Sequence, residues 1–316
     1  MKIIFAGTPE FAARHLEIVL QSEHEVLSVL TQPDRKSGRG KKINFSPVKK
    51  TALDNGISIH QPESLGIDKV FSDLKNITPD LILVVAYGLL VPKKILELPK
   101  YGCVNIHASL LPRWRGASPM EHAIMSGDKN IGISYMEMSE GLYEGPVYEM
   151  HECSLKEYDT LHTVEEKFIQ LSEKYLVSFL DNLESGSIKH KAQDENKATF
   201  SPKIDKKFLQ IDWQGESSIE IIRKINALGS KYGTYSFLGG KRVKIHKARS
   251  IVSEIKHDPG YISVKDDRLV VFCKDASSIL IEQIQMEGKN KVSGKDFIAG
   301  YLDLIKKNGN FELTIQ

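Results

Sequence analysis

Residues 1–150 alternate short apolar segments with amphipathic ones, and this alternation constrains the fold more than any other feature of the chain. Short apolar runs predict buried strands, whereas apolar residues recurring every three or four positions predict helices. A strand–helix–strand alternation is typical of an α/β fold with a doubly wound, Rossmann-like parallel sheet, whose ligands bind beyond the carboxyl ends of the strands. The predicted strands are Lys2–Ala6, Glu25–Thr31, Ile57–His60, Asp80–Ala86 and Gly102–His107. The predicted helices run from Pro9 to about Gln21, with Thr8 as N-cap, over Pro47–Asp54 and near Pro92–Leu98.

The second half of the chain changes pattern twice. Residues 158–184 carry apolar side chains at helical spacing and predict one long amphipathic helix, after which residues 185–209 are polar and aperiodic. A predicted helix over Ser218–Leu228 precedes short strands whose spacing is typical of a small β-barrel. We therefore expect an α/β domain over 1–184, a linker over 185–209 and a C-terminal OB-like β-barrel over 210–316. The barrel strands are predicted at Tyr235–Leu238, Arg242–Ala248, Gly260–Val264, Arg268–Phe272 and Ser278–Gln283.

Composition excludes several classes of protein. With 41% hydrophobic and 27% charged residues the chain is a globular mixture, not a disordered one. Its apolar runs are far shorter than the roughly 20 residues that a transmembrane helix needs, so no membrane association is expected. The cysteines are odd in number and lack metal-type spacing: Cys103, Cys153 and Cys273. A reduced cytoplasmic protein without disulfides or a metal site is therefore predicted.

Basic residues cluster at two places, although 43 Lys+Arg against 41 Asp+Glu leave a net charge of only +2. Such clusters suit a polyanionic partner, because each phosphate that a basic side chain neutralises releases a counterion. The alternative is two ordinary solvated faces, and charge alone favours that simpler interpretation. The first cluster holds Arg35, Lys36, Arg39, Lys41, Lys42, Lys49 and Lys50, and the second Lys241, Arg242, Lys244, Lys247 and Arg249.

One segment could carry chemistry. Asn105 and His107 end a predicted strand two residues apart, so both side chains lie on the same face. An amide donor beside an imidazole could stabilise an oxygen anion as an amine attacks an acyl carbon, and a histidine near its reference pKa of ~6.5 could pass a proton at neutral pH. The alternative is a strand-end cap without chemistry. Neither a dinucleotide-binding nor a phosphate-binding glycine motif is present, so NAD is not expected.

Three motifs follow one another here: Asn105–His107, Ser109–Pro112 and Arg115-Gly116. In this order they resemble the signature of the 10-formyltetrahydrofolate-dependent formyltransferases. Nearly the whole chain resembles one branch of that family in particular, the branch that formylates initiator methionyl-tRNA. The basic insertion over Asp34–Lys49 is its most specific part, since shorter formyltransferases that act on small molecules lack it. Further matching segments are Phe5–Phe11, Thr31–Arg35, Val84–Gly88, Ile211–Trp213, Glu287–Lys289 and Lys295–Phe297.

The resemblance implies a role for specific positions. Asn105 and His107 would bind and polarise the formyl group. The donor, 10-formyltetrahydrofolate, would contact two segments, which are Ser109, Leu110, Leu111 and Pro112, and Val85, Ala86, Tyr87 and Gly88. The initiator tRNA would contact basic residues in both halves of the chain, which are Arg35, Arg39, Lys41 and Lys42 at its acceptor end and Lys241, Arg242 and Lys244 along its backbone.

The chain departs from the family pattern at two places. Family members carry a third catalytic residue, an aspartate in a Gly-Leu-Asp element, but here the element ends in Tyr143. Tyrosine, with a reference pKa of ~10, is neutral at pH 7 and a poor base, so the neighbouring carboxylate of Glu144 or Glu140 is a candidate substitute. The second departure is at 228–232, where the family usually has a Pro-Trp-Pro element.

Our leading hypothesis is an enzyme that transfers a formyl group from 10-formyltetrahydrofolate to the amino group of initiator methionyl-tRNA and so supports translation initiation. We expect a cytoplasmic monomer that needs no metal. Two alternatives stay open at this point. One is a formyltransferase acting on a sugar-nucleotide amine, and the other is a catalytically weakened tRNA- or folate-binding homologue, which the tyrosine at 143 suggests.

Overall fold

A computed structural model describes residues 1–37, 42–252 and 256–312, which divide into two compact units. The first unit comprises Met1–Pro119, Asn130–Ser154 and Glu165–Ser201. The second comprises Met120–Lys129, Leu155–Val164 and the described residues from Pro202 onward. The segment predicted as a linker over 185–209 is thus divided at Ser201, because its first part hydrogen-bonds to the first unit.

The first unit contains the following strands among its described residues: β1 (Lys2–Gly7), β2 (Glu25–Leu30), β3 (Arg35–Ser37), β4 (Lys42–Asn44), β5 (Ser58–His60), β6 (Leu81–Val85), β7 (Cys103–His107), β8 (Arg115–Gly116), β9 (Asn130–Glu137), β10 (Val147–Ser154) and β11 (Phe200–Ser201). The first helices of the chain are α1 (Glu10–Leu20), α2 (Pro47–Asp54), α3 (Asp68–Ile77), α4 (Lys93–Leu96), α5 (Pro119–Ser126) and α6 (Leu161–Ser185). From Met120 onward α5 counts with the second unit, whereas α6 belongs to the first unit from Glu165 onward.

The main sheet of the first unit, among the described residues, has the strand order β10-β9-β7-β6-β1-β2-β5. The five strands from β7 to β5 are parallel, which confirms the predicted α/β fold. The strands β9 and β10 extend the sheet in antiparallel fashion and were not predicted. From β1 the chain builds β2 and β5 on one side and then returns to β6 and β7 on the other. Ligands are expected at such a switch point, outside the carboxyl ends of the strands.

The two central strands are apolar throughout because both of their faces are covered. Ile3, Ile4 and Phe5 of β1 are fully buried, as is the whole of β6. Their pairing sets Gly7 opposite Val85, so both strands end at the same edge. The prediction that Thr8 caps α1 is wrong: Pro9 is the N-cap, and the Thr8 hydroxyl instead donates to the carbonyl oxygen of Tyr87 at 3.1 Å.

The second unit contains an antiparallel sheet among its described residues, with the order β12-β13-β16-β15-β14 and β17 paired to β16. Its strands are β12 (Thr234–Leu238), β13 (Lys241–Ile251), β14 (Ile262–Lys265), β15 (Arg268–Phe272), β16 (Ser278–Met286) and β17 (Val292–Ser293), and its further helices are α7 (Ser218–Leu228) and α8 (Gly294–Asn308). Bridges from Asn310 to Tyr261 and from Glu312 to Phe237 join the two edges of the sheet. Each of the five predicted barrel strands corresponds to a strand of this sheet, which are β12, β13, β14, β15 and β16.

An apolar cluster of described residues fills the interior of the second unit. The Trp213 side chain lies in it, with its indole N–H donating to the Ser236 hydroxyl at 2.9 Å, and stacks on Phe311. The helix α7 contributes Ile221 and Ile225 and begins with a capping box. None of the helices in the described ranges of either unit combines the length and the hydropathy that crossing a bilayer requires.

Candidate active site

The carboxyl end of β7 carries the two side chains singled out in the sequence. Asn105 is half-buried and His107 is 4% exposed. The neighbouring strand β6 pairs with β7 through Val84 and Asn105, so the amide lies beside the end of β6. Because successive strand residues alternate in direction, Asn105 and His107 share a face of the sheet. Both side chains thus lie on one face at the carboxyl end of β7, and that they act together on a substrate stays a prediction.

The His107 ring has two neighbours that define its state. Its Nε2 lies 3.0 Å from the carbonyl oxygen of Trp114, and its ring centroid lies 4.8 Å from that of Tyr143. A carbonyl oxygen only accepts, so in this arrangement Nε2 carries the proton and Nδ1 holds the free electron pair. Burial lowers the pKa of His107 to about 4, with the hydrogen bond to Trp114 opposing the shift. The imidazole is therefore neutral at pH 7, and the expectation of a value near 6.5 is wrong because the ring is desolvated.

The loop after β7 is held by hydroxyl groups. Ser109 Oγ donates to the carbonyl oxygen of Arg113 at 2.6 Å, so this side chain supports the turn itself. From β9, Ser134 Oγ donates to the carbonyl oxygen of Ser109 at 2.6 Å and accepts from the backbone N–H of Leu111 at 3.1 Å. The Leu111 side chain is buried, whereas Leu110 and Pro112 are half-buried, and the bond between Leu111 and Pro112 is cis.

The segment after β6 presents mainly its backbone. The side chains of Val85 and Tyr87 are buried in the interior of the unit, so neither faces solvent at the edge of the sheet. Ala86 is exposed with φ +46°, and Gly88 has φ +84°, a backbone conformation that glycine adopts readily. The carbonyl oxygen of Tyr87 accepts from Gln32 Nε2 at 3.2 Å in addition to Thr8. Any donor contact at Val85 and Tyr87 would thus be made by the main chain.

Tyr143 is the residue that the structure brings against His107. It has φ +62°, unusual for a bulky side chain, and its carbonyl oxygen accepts from Gln193 Nε2 at 2.9 Å. Burial raises the pKa of Tyr143, so its phenol is neutral at pH 7. Glu144 is exposed, and its carboxylate lies over Gly141. The pKa of the Arg115 guanidinium is raised mainly by its hydrogen bond to Glu195, and the charge of Glu144 adds to the shift. Glu140 pairs with Lys93 at 2.9 Å. Among the described residues the ring of Tyr143, and neither carboxylate, contacts the imidazole.

The basic residues predicted to bind tRNA fall in both units. Arg35 is exposed at the base of the β3–β4 hairpin, and its guanidinium donates to Gln32 Oε1 at 3.2 Å. Arg39 and Lys41 lie outside the described residues, and Lys42 opens β4. In the second unit, three predicted contacts begin β13: Lys241 and Arg242 are exposed, and Lys244 is half-buried with its Nζ donating to the carbonyl oxygen of Tyr232 at 3.3 Å.

A cluster of three side chains fixes the base of the β3–β4 hairpin to the main sheet. We call it the Lys49 brace, and it is formed by Asp34, Lys49 and Gln61. Lys49 Nζ contacts Asp34 Oδ2 at 2.5 Å and Gln61 Oε1 at 2.7 Å. Gln61 Nε2 donates to the other Asp34 oxygen at 2.9 Å and to the carbonyl oxygen of Gln32 at 2.9 Å. The Lys49 hydrogen bond, followed by that of Gln61, lowers the pKa of Asp34, which keeps this carboxylate charged. Lys49, predicted as part of a basic cluster, is thus engaged internally.

Two neighbours of the site had no signal in the sequence. Trp114 contributes a backbone carbonyl, which no side-chain motif can mark, and Gln193 lies 50 residues from Tyr143, within the polar segment predicted as a linker. The glutamine in Gln193-Asp194-Glu195 resembles any surface residue when the sequence is considered alone. Across the described part of the chain, no group of three or more His, Cys, Asp or Glu side chains is arranged to hold a metal ion.

Two family models match the chain. The model described as "Formyl transferase" matches residues 1–180, and the one described as "Formyl transferase, C-terminal domain" matches residues 203–302. A curated methionyl-tRNA formyltransferase of Coxiella burnetii (strain RSA 331 / Henzerling II) is 40% identical over 303 residues, covering 96% of either chain. One of Pseudoalteromonas translucida (strain TAC 125) is 37% identical over 308 residues, covering 96% of this chain and 95% of that relative.

Solved structures share the fold at low identity. A chain of HypX from Aquifex aeolicus in complex with tetrahydrofolic acid aligns over 97% of this chain with a TM-score of 0.68 and 17% identity, and this chain spans 48% of its length. WlaRD, a sugar 3N-formyl transferase, aligns over 92% of this chain and 99% of its own with a TM-score of 0.67 and 18% identity. The family matches and the near full-length relatives confirm the resemblance derived from the motifs. The chain belongs to the formyl transferase family.

Proposed function

We propose that this chain transfers a formyl group from 10-formyltetrahydrofolate to the α-amino group of initiator methionyl-tRNA, in the cytoplasm and as a monomer. The observation that carries the proposal is the pair Asn105 and His107 at the carboxyl end of β7, beside the switch point of the sheet. The relatives at 37–40% identity, which are methionyl-tRNA formyltransferases, support tRNA as the acceptor. Initiation of translation is the process that such a product serves.

The chemistry requires a neutral amine and a polarised formyl oxygen. The Asn105 side-chain amide can donate a hydrogen bond to that oxygen as negative charge develops on it. The unprotonated Nδ1 of His107 can accept the proton that the attacking amine loses. The low pKa of this histidine keeps the nitrogen free at pH 7, although it also makes the imidazole a weak base. Tyr143, being neutral, can donate a hydrogen bond but cannot replace the carboxylate of the family as a proton acceptor.

The residues at the edge of the sheet suit the proposed donor. When bound, 10-formyltetrahydrofolate supplies the formyl group, and its N10 atom leaves. The exposed turn at Ala86 adjoins Asn105, because β6 and β7 are paired at this point. The half-buried Leu110 and Pro112 add apolar surface next to these polar groups, a combination that suits a flat heterocycle with a polar edge. We therefore assign donor binding to the segments 85–88 and 109–112.

The proposed tRNA contacts rest on charge. Arg35, Arg39, Lys41 and Lys42 would meet the acceptor end, and the exposed Lys241 and Arg242 with Lys244 would meet the backbone. Each phosphate contact made by such residues contributes a step to the salt dependence of binding. A slope of log KM against log salt that changes by about one for each neutralised residue would support direct contacts.

A reconstituted assay tests the proposal. The purified chain is mixed with 10-formyltetrahydrofolate and charged initiator tRNA, and N-formylmethionine is measured by mass spectrometry after the ester is hydrolysed. A dTDP-amino sugar replaces the tRNA in a parallel reaction, and Asn105→Ala serves as the inactive control. Formylation of the tRNA that depends on Asn105 is expected. If only the sugar is formylated, the chain is a sugar-nucleotide formyltransferase instead. If neither acceptor is formylated, the proposal is refuted.

A further inference from the structure

A segment of nine residues, Gln193–Ser201, runs along the first unit, and we call it the strap. It belongs to the stretch that follows α6 and includes β11, which pairs in parallel with β8. The sequence marks it only as polar and aperiodic. The hydrogen bonds of the strap nevertheless end on the two parts of the molecule that surround the His107 ring, which are the loop after β7 and the turn that carries Tyr143.

One end of the strap holds the loop after β7. The backbone N–H of Trp114 donates to Thr199 Oγ1 at 2.9 Å, and that of Arg115 donates to the Thr199 carbonyl oxygen at 2.8 Å. Ser201 Oγ donates to the carbonyl oxygen of Trp114 at 3.0 Å. This oxygen also accepts from His107 Nε2. The strap therefore holds the group that orients the imidazole.

The other end of the strap holds the turn that carries Tyr143. Gln193 Nε2 donates to the carbonyl oxygens of Tyr143 and Gly145, at 2.9 and 2.7 Å. Gln193 Oε1 accepts from Arg115 Nε and Nη2, at 3.1 and 2.9 Å. The amide of Gln193 thus makes four hydrogen bonds and has no freedom to rotate without losing some of them.

Arg115 completes the connection. Its side chain is 2% exposed, and its guanidinium forms a two-pronged pair with Glu195, in which both distances are 2.7 Å. A buried guanidinium is retained only where its donors find partners, and among the described residues its side-chain hydrogen bonds go to Gln193 and Glu195 of the strap. Gly116 follows, and a Cβ there would lie 2.3 Å from the carbonyl oxygen of Ser201, so only glycine allows this approach.

We propose that Gln193 and Arg115 are positioning residues, which hold the Tyr143 ring against the His107 ring through the strap. The Tyr143 backbone lies in the left-handed region, which a bulky residue rarely adopts without such support. Loosening the turn would let the tyrosine ring move away and would admit water to the imidazole. This proposal rests on the proposed function and extends it, because it assigns part of the segment predicted as a linker to the support of the residues around His107.

The test uses Gln193→Met, which keeps side-chain length and neutrality but removes all four hydrogen bonds. Thr199→Val, which removes the acceptor for the Trp114 N–H, provides a second variant on the opposite end of the strap. Asn196→Ala, an exposed position on the same segment, is the matched control. Two readouts are taken on the whole chain: steady-state kinetics of formylation, and the pKa of His107 from NMR titration of its ring protons.

We expect Gln193→Met and Thr199→Val to lower kcat by about 10-fold to 100-fold, because both loosen the loop whose Trp114 carbonyl oxygen orients the His107 ring, and misplacement of a catalytic group by about 1 Å has this effect even where the pKa of the ring rises. KM for both substrates should stay within about twofold, and the pKa of His107 should rise from about 4 toward its unperturbed value of ~6.5 as water reaches the ring. Asn196→Ala should match the wild type in both readouts. A merely structural role would lower the folded fraction without moving the His107 titration of the molecules that remain folded.

An unchanged kcat and an unchanged His107 titration in either folded variant would overturn the proposal, as would a lower kcat without a change in the titration. If Gln193→Met does not fold, Thr199→Val alone decides between these outcomes. The NMR readout does not require turnover. A wild type that fails to formylate tRNA would therefore refute the proposed function, while the titration still reports whether the strap positions the two rings.

Discussion

The substitution Tyr143→Asp introduces a carboxylate at the point where the structure holds a neutral phenol. The Tyr143 ring lies 4.8 Å from the His107 ring, so the new charge would lie about 5 Å from the imidazole. At an effective dielectric constant of about 20, opposite charges at this distance attract with about 3 kcal/mol, equivalent to about two pKa units. The pKa of His107 should therefore rise from about 4 to about 6, and removal of the aromatic ring adds to the rise by admitting water.

The rate should rise with the pKa. A proton acceptor whose pKa lies nearer to the working pH is more effective, and a positioned acid–base group contributes about 10²–10⁴-fold to a rate. We expect kcat for formylation to increase by about 10²-fold, the lower end of that range, because the surrounding turn has been shaped around a tyrosine. Aspartate also tolerates a positive φ better than tyrosine does, so the fold should not suffer.

Single-turnover formylation of charged initiator tRNA is the assay, with the titration of His107 measured alongside. Tyr143→Asn is the matched control, since it removes the ring and tolerates positive φ but adds no charge. If the aspartate and asparagine variants have the same rate and the same His107 pKa, the electrostatic reasoning is refuted. If Tyr143→Asp is slower than the wild type, the phenol has a catalytic role of its own that a carboxylate cannot perform.

Three further predictions concern stability and substrate binding. The pKa of His15 and that of His107 are both lowered to about 4 by burial, so the unfolded chain binds more protons than the folded one between pH 6.5 and 4. The free energy of unfolding should therefore fall by about 3 kcal/mol for each histidine as the pH drops from 7 to 4, and in urea titrations His15→Gln should lose that much less than the wild type. Gly116→Ala, which drives a Cβ into a backbone oxygen of the strap, should reduce the free energy of unfolding by about 2–4 kcal/mol. Gly300→Ala, whose Cβ would meet no atom from outside its own helix within 4 Å, should instead raise the free energy of unfolding by about 0.5–1 kcal/mol. Equal effects of the two substitutions in calorimetry would contradict the contact at Gly116. Lys49→Met removes the centre of the Lys49 brace, which holds the base of the β3–β4 hairpin. It should raise KM for tRNA by about tenfold without changing kcat. An unchanged KM in steady-state kinetics would show that the hairpin keeps its position without the brace.

Several elements were predictable because their signals are local. The helices over Pro47–Asp54 and Ser218–Leu228 have the predicted bounds, as does the strand Arg268–Phe272. Each has a start signal or an apolar pattern that lies within its own residues, such as the serine that caps α7. The strand β10, in contrast, was missed because it lies at the edge of the sheet and exposes alternate polar residues. The helix α3 was also missed, although its apolar side chains recur at helical spacing and pack on one core, so its signal was present in the sequence; they are Val70, Phe71, Leu74 and Ile77.

In the candidate site, too, some features follow from the sequence and others do not. That Asn105 and His107 share a face follows from the two-residue repeat of a strand, and that they lie at the edge of the sheet follows from the alternation of strands and helices. Their partners do not follow from any local rule. Trp114 contributes a backbone oxygen, and Gln193 reaches the Tyr143 turn across 50 residues of chain.

Three features follow from the amino-acid sequence alone, because each depends on neighbours along the chain. These are the order of strands and helices, the motif at the end of β7 and the tyrosine at position 143. Three other features depend on which distant groups pack against the residues concerned. These are the neutral state of His107, the burial of the Val85 and Tyr87 side chains, and the role of the strap. Desolvation and hydrogen bonding act through space, so their effects on a side chain are absent from its sequence context and arise only when the chain has packed.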